Sequence, residues 1–200
     1  MAFERIEQGL KGTKQELLLK GMFEGKACNR FLCQGCGVTM ERFEEFMNLS
    51  LDVKHSKTLY ESLGRLVSGE VISDFYCESC DKKVEMTKKT CLAALPNILI
   101  LHLQRIVYNF DLYANEKINS RLEFPHLLSL EPYTRDAVLR QEGANPEPCD
   151  YDYELVGVVV HSGTAETGHY VSLIRHRLPD GTVDPKKWFE FNDALIRYFE

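Results

Sequence analysis

The sequence predicts an α+β fold, with a helix in the first half and an antiparallel sheet in most of the second half. Two patterns support this prediction. Between Lys57 and Val71, apolar residues recur at helical spacing, and Thr58 with Glu61 forms the S/T-x-x-E pattern of a helix capping box. The second half contains several short runs of β-branched and aliphatic residues bounded by turn formers, which is typical of strands.

The predicted strands lie on both sides of short turn-forming segments. They are Ile98–Val107, Leu155–His161, His169–His176 and a short aromatic strand that starts at Trp188. Pro179–Gly181 forms the turn between the last two, because proline, aspartate and glycine favour turn conformations. No internal repeat or low-complexity linker interrupts the sequence, so we expect one domain over residues 1–200.

Composition and charge exclude several classes of protein. The net charge is -6 at pH 7, which disfavours a nucleic-acid partner because such binding relies on Lys and Arg that neutralise phosphates. No stretch approaches the roughly 18 uncharged apolar residues of a membrane span, so we expect no membrane partner. The start of the sequence, Met1–Arg5, lacks the apolar region of a signal peptide, and we expect an intracellular location, cytoplasmic or nuclear.

Four of the seven cysteines form two Cys-x-x-Cys pairs, Cys33 with Cys36 and Cys77 with Cys80. A tight turn brings the second sulfur of each pair back beside the first, so together they could supply a closed tetrahedral site for one structural Zn²⁺ ion. The pairs are separated by 40 residues, more than the roughly 15–20 of a usual zinc ribbon. We therefore expect the Thr58 helix to be inserted between them. The alternatives are a redox motif, which would normally begin a helix next to a strand, or two unrelated pairs.

A histidine and an asparagine are candidates for part of a catalytic triad. His169 starts a strand directly after Gly168, which would let a substrate backbone approach the ring. The aromatic strand beyond the turn ends in Asn192 and Asp193. An asparagine oxygen that holds one imidazole nitrogen would make the base-and-orienter half of a Cys-His-Asn triad.

The predicted hairpin register brings these side chains together. If the turn is symmetric and centred between residues 180 and 181, the numbers of paired residues add up to 361, and His169 faces Asn192. Directly opposed residues have Cβ atoms roughly 4.5–5.5 Å apart, which is within side-chain reach. Two prolines near the turn enlarge the loop, so a slipped register could favour Asp193 instead.

Several short motifs, taken in order, resemble those of the ubiquitin-specific protease family, and its large multi-domain members more than its compact ones. The resemblance runs from about Leu10 to Asp193, and its specificity comes from the number and the order of the motifs. The motifs are Phe23–Gly25 ahead of the first cysteine pair, Leu49–Val53, Cys77–Lys83, Leu95–Leu99 with Gln104 and Arg105, Gly157–Ser162, Gly168–Tyr170 and Trp188–Asp193.

This resemblance implies a papain-like cysteine protease fold, described as fingers, palm and thumb. Residues of about 24–95 would form zinc-ribbon fingers, and residues of about 96–200 would form the palm with its antiparallel sheet and histidine box. The implied activity is thiol-dependent hydrolysis of isopeptide bonds after the C-terminal glycine of ubiquitin, with ubiquitin or ubiquitinated proteins as partners. Residue by residue, His169 matches the family's general base, Asn192 the residue that orients the ring, and Asp193 the acidic neighbour that assists near the oxyanion.

Two departures from the family pattern affect the functional prediction. The family's cysteine box, an Asn-x-x-Cys-Tyr-like run, is absent, and Cys28, Cys91 and Cys149 lack its surroundings. We expect most of the thumb to be missing, and we expect the chain to stop after Asp193–Glu200 without the last strand that normally completes the palm. The chain is therefore expected to be one partial catalytic domain of a deubiquitinating protease, inactive by itself. The alternative is a catalytically inactive pseudoenzyme that binds ubiquitin, whereas the acidic charge disfavours a zinc-ribbon nucleic-acid binder.

Overall fold

The computed structural model describes residues 2–147 and 149–199, which fold into two units. The first unit comprises Met1–Gln104, Leu122–Phe124 and Ser129–Tyr153, and the second comprises Arg105–Arg121, Pro125–Leu128 and Glu154–Glu200. Among the described residues, the buried apolar side chains lie mainly in the first unit, for example Leu51, Leu63 and Met86. Most side chains on the strands of the second unit are half-buried or exposed.

Four short α-helices lie in the described part of the first unit. They are α1 (Ala2–Leu10), α2 (Leu18–Phe23), α3 (Leu59–Val67) and α4 (Arg135–Gln141), and a single 3-10 turn spans Glu131–Tyr133. In the part of the chain that the structure describes, no helix has the length and apolar character needed to cross a membrane.

Helix α3 begins where the capping-box pattern predicts. Thr58 Oγ1 accepts a hydrogen bond from the backbone N–H of Glu61 at 3.2 Å, and Glu61 Oε2 accepts one from the backbone N–H of Lys57 at 2.7 Å. The first bond satisfies an N–H group that the first helical turn leaves without a partner, and the second ties the side chain of Glu61 to the residue before the cap. The helix ends at Val67, earlier than the predicted end at Val71, because the chain becomes extended immediately after it and enters a strand.

The first sheet is antiparallel and lies in the first unit. Its strands are β1 (Gly25–Cys33), β2 (Thr39–Phe46), β4 (Glu70–Cys77) and β5 (Lys82–Ala94), in the order β2-β1-β5-β4. Phe31, Cys33, Cys77 and Met86 form a buried cluster on this sheet. The 40 residues between the two cysteine pairs contain strands as well as helix α3, so the predicted helix is only part of the insertion.

The predicted strand Ile98–Val107 is wrong as a single element, because it is divided into two. β6 (Leu101–Gln104) pairs in parallel with β3 (Leu49–Asp52), and β7 (Ile106–Asn109) pairs in antiparallel fashion with β8 (Ala114–Lys117). The division falls at Arg105, which donates hydrogen bonds to carbonyl oxygens of the segment that follows β8.

The second sheet consists of consecutive antiparallel hairpins, which confirms the antiparallel sheet predicted for the second half. Its strands are β11 (Gly157–Gly163), β12 (Gly168–Arg177), β13 (Val183–Asn192) and β14 (Leu195–Phe199), in that order. Strand β14 lies within the final segment of the chain, after Asp193, and pairs with β13 along its whole length. The remaining short strands, β9 (Leu127–Ser129) and β10 (Asp152–Glu154), contain points where the chain passes from one unit to the other.

Candidate metal centre and catalytic site

The four cysteines of the predicted metal site lie at the ends of two hairpins of the first sheet. Cys33 is the last residue of β1 and Cys77 the last residue of β4, and the turn after each contains its partner, Cys36 or Cys80. Gly35 lets the two turns approach closely, since a Cβ at that position would lie 3.2 Å from the sulfur of Cys80. The structure thus brings the four predicted ligands together.

The sulfur positions fit a single tetrahedral ion. All four Sγ atoms lie within 4.8 Å of one another, with Cys33 and Cys80 at 3.7 Å and Cys36 and Cys77 at 3.8 Å. Thiolates about 2.3 Å from one ion would stand about 3.8 Å apart in tetrahedral geometry. A disulfide would instead require sulfurs about 2.0 Å apart. The cluster could therefore hold a metal ion.

Backbone amides favour the thiolate form of Cys33. The N–H groups of Gly35 and Cys36 donate to its sulfur at 3.3 and 3.5 Å. The pKa of Cys33 is lowered to about 6, chiefly by the hydrogen bond from the Cys36 amide. Because the thiolate is the form that binds a metal, Cys33 is a competent ligand at neutral pH.

The other three cysteines also lie in the first unit. Cys28 and Cys91 are buried and pair directly across β1 and β5. Burial raises the pKa of both thiols, that of Cys91 to about 12. A thiol that resists ionisation is a poor nucleophile, so neither residue has the properties of a catalytic cysteine. Cys149 is exposed and lies shortly before β10.

His169 and Asn192 are in contact on the second sheet. His169 Nε2 lies 2.6 Å from Asn192 Oδ1. An amide oxygen only accepts hydrogen bonds, so Nε2 carries the proton and donates it, which leaves Nδ1 of the neutral ring as the acceptor nitrogen. The side chain of His169 is 49% exposed, so a reactant can reach it.

The hairpin that carries these residues does not have the predicted register. Pairs next to the site, such as Ser172 with Phe191, have residue numbers that add up to 363 rather than 361. When this register is continued, Asn192 stands across from Val171, so the prediction that His169 directly faces Asn192 is wrong. A shift by two residues keeps both side chains on the same face, and long side chains still reach a diagonal neighbour.

The register shift arises from a bulge in β13. Arg175 pairs with Trp188 and Arg177 pairs with Val183, so between these pairs β13 contains three more residues than β12. One of these extra positions is Pro185, which has no N–H to contribute to the ladder. The enlarged loop that the prolines predict is therefore present. The numbers of Arg177 and Val183 add up to 360, one less than predicted, and the three extra residues raise the sum to 363, so the net shift from the predicted register is two residues.

Asp193 begins the two-residue turn between β13 and β14. Its φ angle is 51°, in the left-handed region that aspartate adopts more readily than most residues, and Asn192 pairs with Leu195 across the turn. Asp193 Oδ2 lies 3.9 Å from His169 Nε2, too far for a hydrogen bond. Within the described residues, the imidazole is therefore hydrogen-bonded to Asn192 rather than to Asp193.

A tight hairpin end precedes His169. Gly163 pairs with Gly168, and a Cβ at Gly168 would overlap the imidazole of His161. Lys117 Nζ donates hydrogen bonds to the carbonyl oxygens of His161 at 3.1 Å and Gly163 at 2.9 Å. No local pattern in the sequence indicates this contact of Lys117, because 44 and 46 residues separate it from its partners.

Known proteins resemble the chain along its whole length. A family model described as "Ubiquitin carboxyl-terminal hydrolase" matches residues 1–200. The chain belongs to this family. Ubiquitin carboxyl-terminal hydrolase 24 of Homo sapiens is 34% identical over 219 residues, which cover 98% of this chain and 8% of that protein. The probable ubiquitin carboxyl-terminal hydrolase FAF of Drosophila melanogaster is 34% identical over 205 residues, which cover 96% of this chain and 7% of that protein.

Solved structures of the SAGA DUB module have the same fold. The SAGA DUB module of Ubp8, Sgf11, Sus1 and Sgf73 bound to monoubiquitin matches with a TM-score of 0.79 and 28% identity, over 99% of this chain and 41% of that chain. The SAGA module bound to ubiquitin aldehyde matches with a TM-score of 0.75 and 29% identity, over 94% of this chain and 40% of that chain. The predicted papain-like α+β fold is confirmed, with a cysteine cluster in the fingers and an antiparallel palm sheet.

Both the family model and these relatives are named as ubiquitin carboxyl-terminal hydrolases. The chain spans less than a tenth of the curated relatives and about two fifths of the chains in the solved structures.

Proposed function

We propose that this chain supplies the general base and the metal-stabilised fingers of a deubiquitinating cysteine protease that hydrolyses isopeptide bonds after the C-terminal glycine of ubiquitin. The observation that carries the proposal is the 2.6 Å contact between His169 Nε2 and Asn192 Oδ1 in a member of the ubiquitin carboxyl-terminal hydrolase family. Thiol proteases require an imidazole that is oriented by one nitrogen and able to accept a proton at the other.

The nucleophilic cysteine comes from outside these 200 residues in this proposal. Four of the seven cysteines belong to the metal cluster, and burial raises the pKa of Cys28 and Cys91. Cys149 is exposed but lies in Glu-Pro-Cys-Asp, which does not resemble a cysteine box. We therefore expect the chain alone to be inactive.

We propose a role for each residue of the candidate site. A thiolate would attack the carbonyl carbon of the C-terminal glycine, while His169 Nδ1 would take the thiol proton and return it to the leaving lysine amine. Asn192 would hold Nε2 and so keep Nδ1 directed at the thiol. Asp193, whose side chain is 83% exposed beside the ring, would assist near the oxyanion. Because its carboxylate only accepts hydrogen bonds, it would act by orienting a donor such as a water molecule toward the negative charge.

We propose that the four-cysteine cluster holds one structural Zn²⁺ ion. A closed set of four thiolates in tetrahedral positions is typical of structural zinc sites. Cys33 and Cys36 would be joined through the ion to Cys77 and Cys80, so that the turn after β1 and the turn after β4 hold each other in place.

The proposal extends to domain limits, partners and location. Residues of about 24–95 would be the fingers and residues of about 96–200 the palm of one partial catalytic domain. Ubiquitin or ubiquitinated proteins would be the partners, which is supported by the similar module whose structure contains monoubiquitin. A cytoplasmic or nuclear location would keep the four thiols reduced for metal binding.

A reporter of ubiquitin cleavage tests the proposed function. The 200-residue chain should neither cleave a ubiquitin carboxy-terminal reporter nor form an adduct with an electrophilic ubiquitin probe. The full-length protein should do both, and His169→Ala should lower its kcat by roughly a thousandfold at unchanged ubiquitin affinity, because it removes the base and no binding contact. A probe adduct on Cys28, Cys91 or Cys149, or full activity of His169→Ala, would overturn the proposal.

A second candidate function is a catalytically inactive module that binds ubiquitin. The lack of a cysteine box in the 200 residues favours it. The coding sequence immediately upstream of Met1 discriminates between the two functions. A cysteine box there supports the protease, whereas a full-length protein that binds ubiquitin without a cysteine box or turnover supports the binding module.

A further inference from the structure

The end of the β11–β12 hairpin is held by a side chain from a neighbouring hairpin. Lys117 is half-buried at the end of β8, and its ammonium donates to the carbonyl oxygens of His161 at 3.1 Å and Gly163 at 2.9 Å. Hydrogen bonds with a charged donor are roughly twice as strong as those between neutral groups. Two such bonds to alternate residues fix both the position and the direction of the strand end.

The main chain of Lys117 is itself restrained. It pairs with Ile106 at the base of the β7–β8 hairpin, and the next residue, Ile118, donates its N–H to the carbonyl oxygen of Arg105 at 2.7 Å. The guanidinium of Arg105 donates in turn to the carbonyl oxygens of Ile118 at 3.0 Å and Ser120 at 2.8 Å. The ammonium of Lys117 therefore acts from a fixed position.

The anchored strand end is the main-chain neighbour of His169. Ser162 lies between the two anchored carbonyls and pairs directly with His169 across β11 and β12. On the other side, the ladder between β12 and β13 ends at Ser172 and Phe191, so His169 lies three residues beyond its last pair. The position of the His169 main chain is therefore set by β11 rather than by the strand that carries Asn192.

The loop between β11 and β12 transmits a displacement of the anchored carbonyls to His169. Thr164 N–H donates to the carbonyl oxygen of Thr167 at 2.8 Å, and Thr167 N–H donates to Thr164 Oγ1 at 3.2 Å. The loop is thus closed by its own hydrogen bonds, and a displacement of Gly163 would move its partner Gly168 and the adjacent His169 as well.

We propose that Lys117 is a positioning residue for His169. Its hydrogen bonds hold the end of β11 and thereby keep the imidazole within reach of Asn192, a contact that is diagonal and so depends on the exact placement of both strands. The importance of this role for turnover rests on the proposed function of His169 as the general base. Loss of the Lys117 hydrogen bonds would allow the ring to populate both tautomers instead of only the one in which Nε2 carries the proton.

Nitrogen NMR of the histidine rings in the 200-residue chain tests this role directly. At about pH 8.5, where imidazoles are neutral, His169 should show the Nε2–H tautomer in the unmodified chain and in Lys117→Arg, whose guanidinium can donate to both carbonyls. Lys117→Met should show averaged shifts from both tautomers, as should Asn192→Ala, the reference for a released ring. Lys186→Met removes an exposed lysine of the same unit and should leave the tautomer unchanged.

Retention of the single tautomer in a folded Lys117→Met chain would overturn the inference. The backbone amide spectrum reports whether the β11–β14 sheet is intact, and Lys117→Gln, which is too short and has no charge to hold both carbonyls, gives the same test if Lys117→Met does not fold. Retention of the single tautomer by folded Lys117→Gln would also overturn the inference, and averaged shifts would support it.

Kinetics of the full-length protein separate this inference from the proposed function. Lys117→Met should lower kcat roughly 10- to 100-fold with KM nearly unchanged, because a misplaced base loses effective concentration, and Lys117→Arg should restore kcat. If His169→Ala keeps full activity while Lys117→Met alters the tautomer, the proposed function fails and the positioning role stands. If His169→Ala is inactive while Lys117→Met keeps both tautomer and kcat, the positioning role fails and the proposed function stands.

Discussion

At the scale of single residues, the candidate site depends on which side chain reaches the nitrogen of His169. Asn192 does so at 2.6 Å, whereas the nearest carboxylate oxygen of Asp193 is 3.9 Å away. The two residues are adjacent in sequence, but Asn192 is the last residue of β13 and Asp193 adopts the left-handed conformation of the following turn. Because the backbone conformation changes between them, the side chain of Asn192 reaches the ring nitrogen, whereas that of Asp193 lies beside the ring.

Substitutions at these two positions distinguish their roles in the full-length protein. Asn192→Ala should lower kcat roughly 10- to 100-fold, less than His169→Ala does, because an unoriented imidazole still samples the productive rotamer. Asn192→Asp should retain much of the activity, since a carboxylate can accept the same hydrogen bond. Steady-state kinetics with a ubiquitin reporter, together with a binding measurement for each variant, would check this. A much larger loss for Asp193→Ala than for Asn192→Ala would show that the assigned roles are wrong.

At the scale of secondary-structure elements, helix α3 shows how a local signal sets a boundary. Thr58→Ala should lower the free energy of unfolding of the chain by about 1 kcal/mol, because the first turn loses the hydrogen bond between Thr58 Oγ1 and the N–H of Glu61. Urea unfolding measures this loss. Thr58→Ser keeps a hydroxyl at the cap and should be close to the unmodified chain. Equal stability of Thr58→Ala would mean that the cap contributes nothing here.

The elements that the sequence predicts best are those with local signals. The capping box gives the start of α3, and the Cys-x-x-Cys motifs give the turns at which two hairpins of the first sheet meet. The parallel pairing of β3 with β6 has no such signal, because Leu49 pairs with Leu101 far along the chain. The break at Arg105 is equally hidden, since the apolar run continues through it and the cause is a contact with Ile118 and Ser120.

The candidate site is predicted in part for the same reason. The sequence predicts a contact between His169 and Asn192, but through a register that the structure does not have. The alternation of apolar and polar residues in β13 does not indicate its three extra residues. Side chains alternate between faces with a period of two, so a net odd shift would have placed Asn192 on the opposite face from His169. The pair nearest the turn lies one below the predicted sum, and together with the three extra residues this gives a net shift of two, which preserves the contact. The contacts of Lys117 depend on tertiary structure alone.

At the scale of the whole molecule, the two units differ in what stabilises them. The first unit contains most of the buried apolar side chains of the described residues and also the four clustered thiols. The second unit depends on consecutive hairpins whose side chains are mostly half-buried or exposed. Loss of a metal ion should therefore affect one unit much more than the other.

Substitution of one cysteine tests this difference. Purified protein should contain about one zinc per chain, and Cys77→Ser should lose most of it, because three thiolates leave an open and weaker site. Without the ion, the turns that contain Cys36 and Cys80 lose their link. Amide hydrogen exchange should then become faster at the ends of β1 and β4, whereas β11–β14 should exchange as in the unmodified chain. Elemental analysis and hydrogen-exchange mass spectrometry measure the two effects.

Cys149→Ser provides the matched control, because it removes an exposed thiol of the same unit that lies outside the cluster. It should keep the zinc and the exchange pattern of the unmodified chain. Unchanged zinc in Cys77→Ser would exclude Cys77 as a ligand. Zinc loss with equally faster exchange in both sheets would instead show that the ion stabilises the whole chain, since an ion that only joins two turns of the first sheet gives no reason for β11–β14 to open.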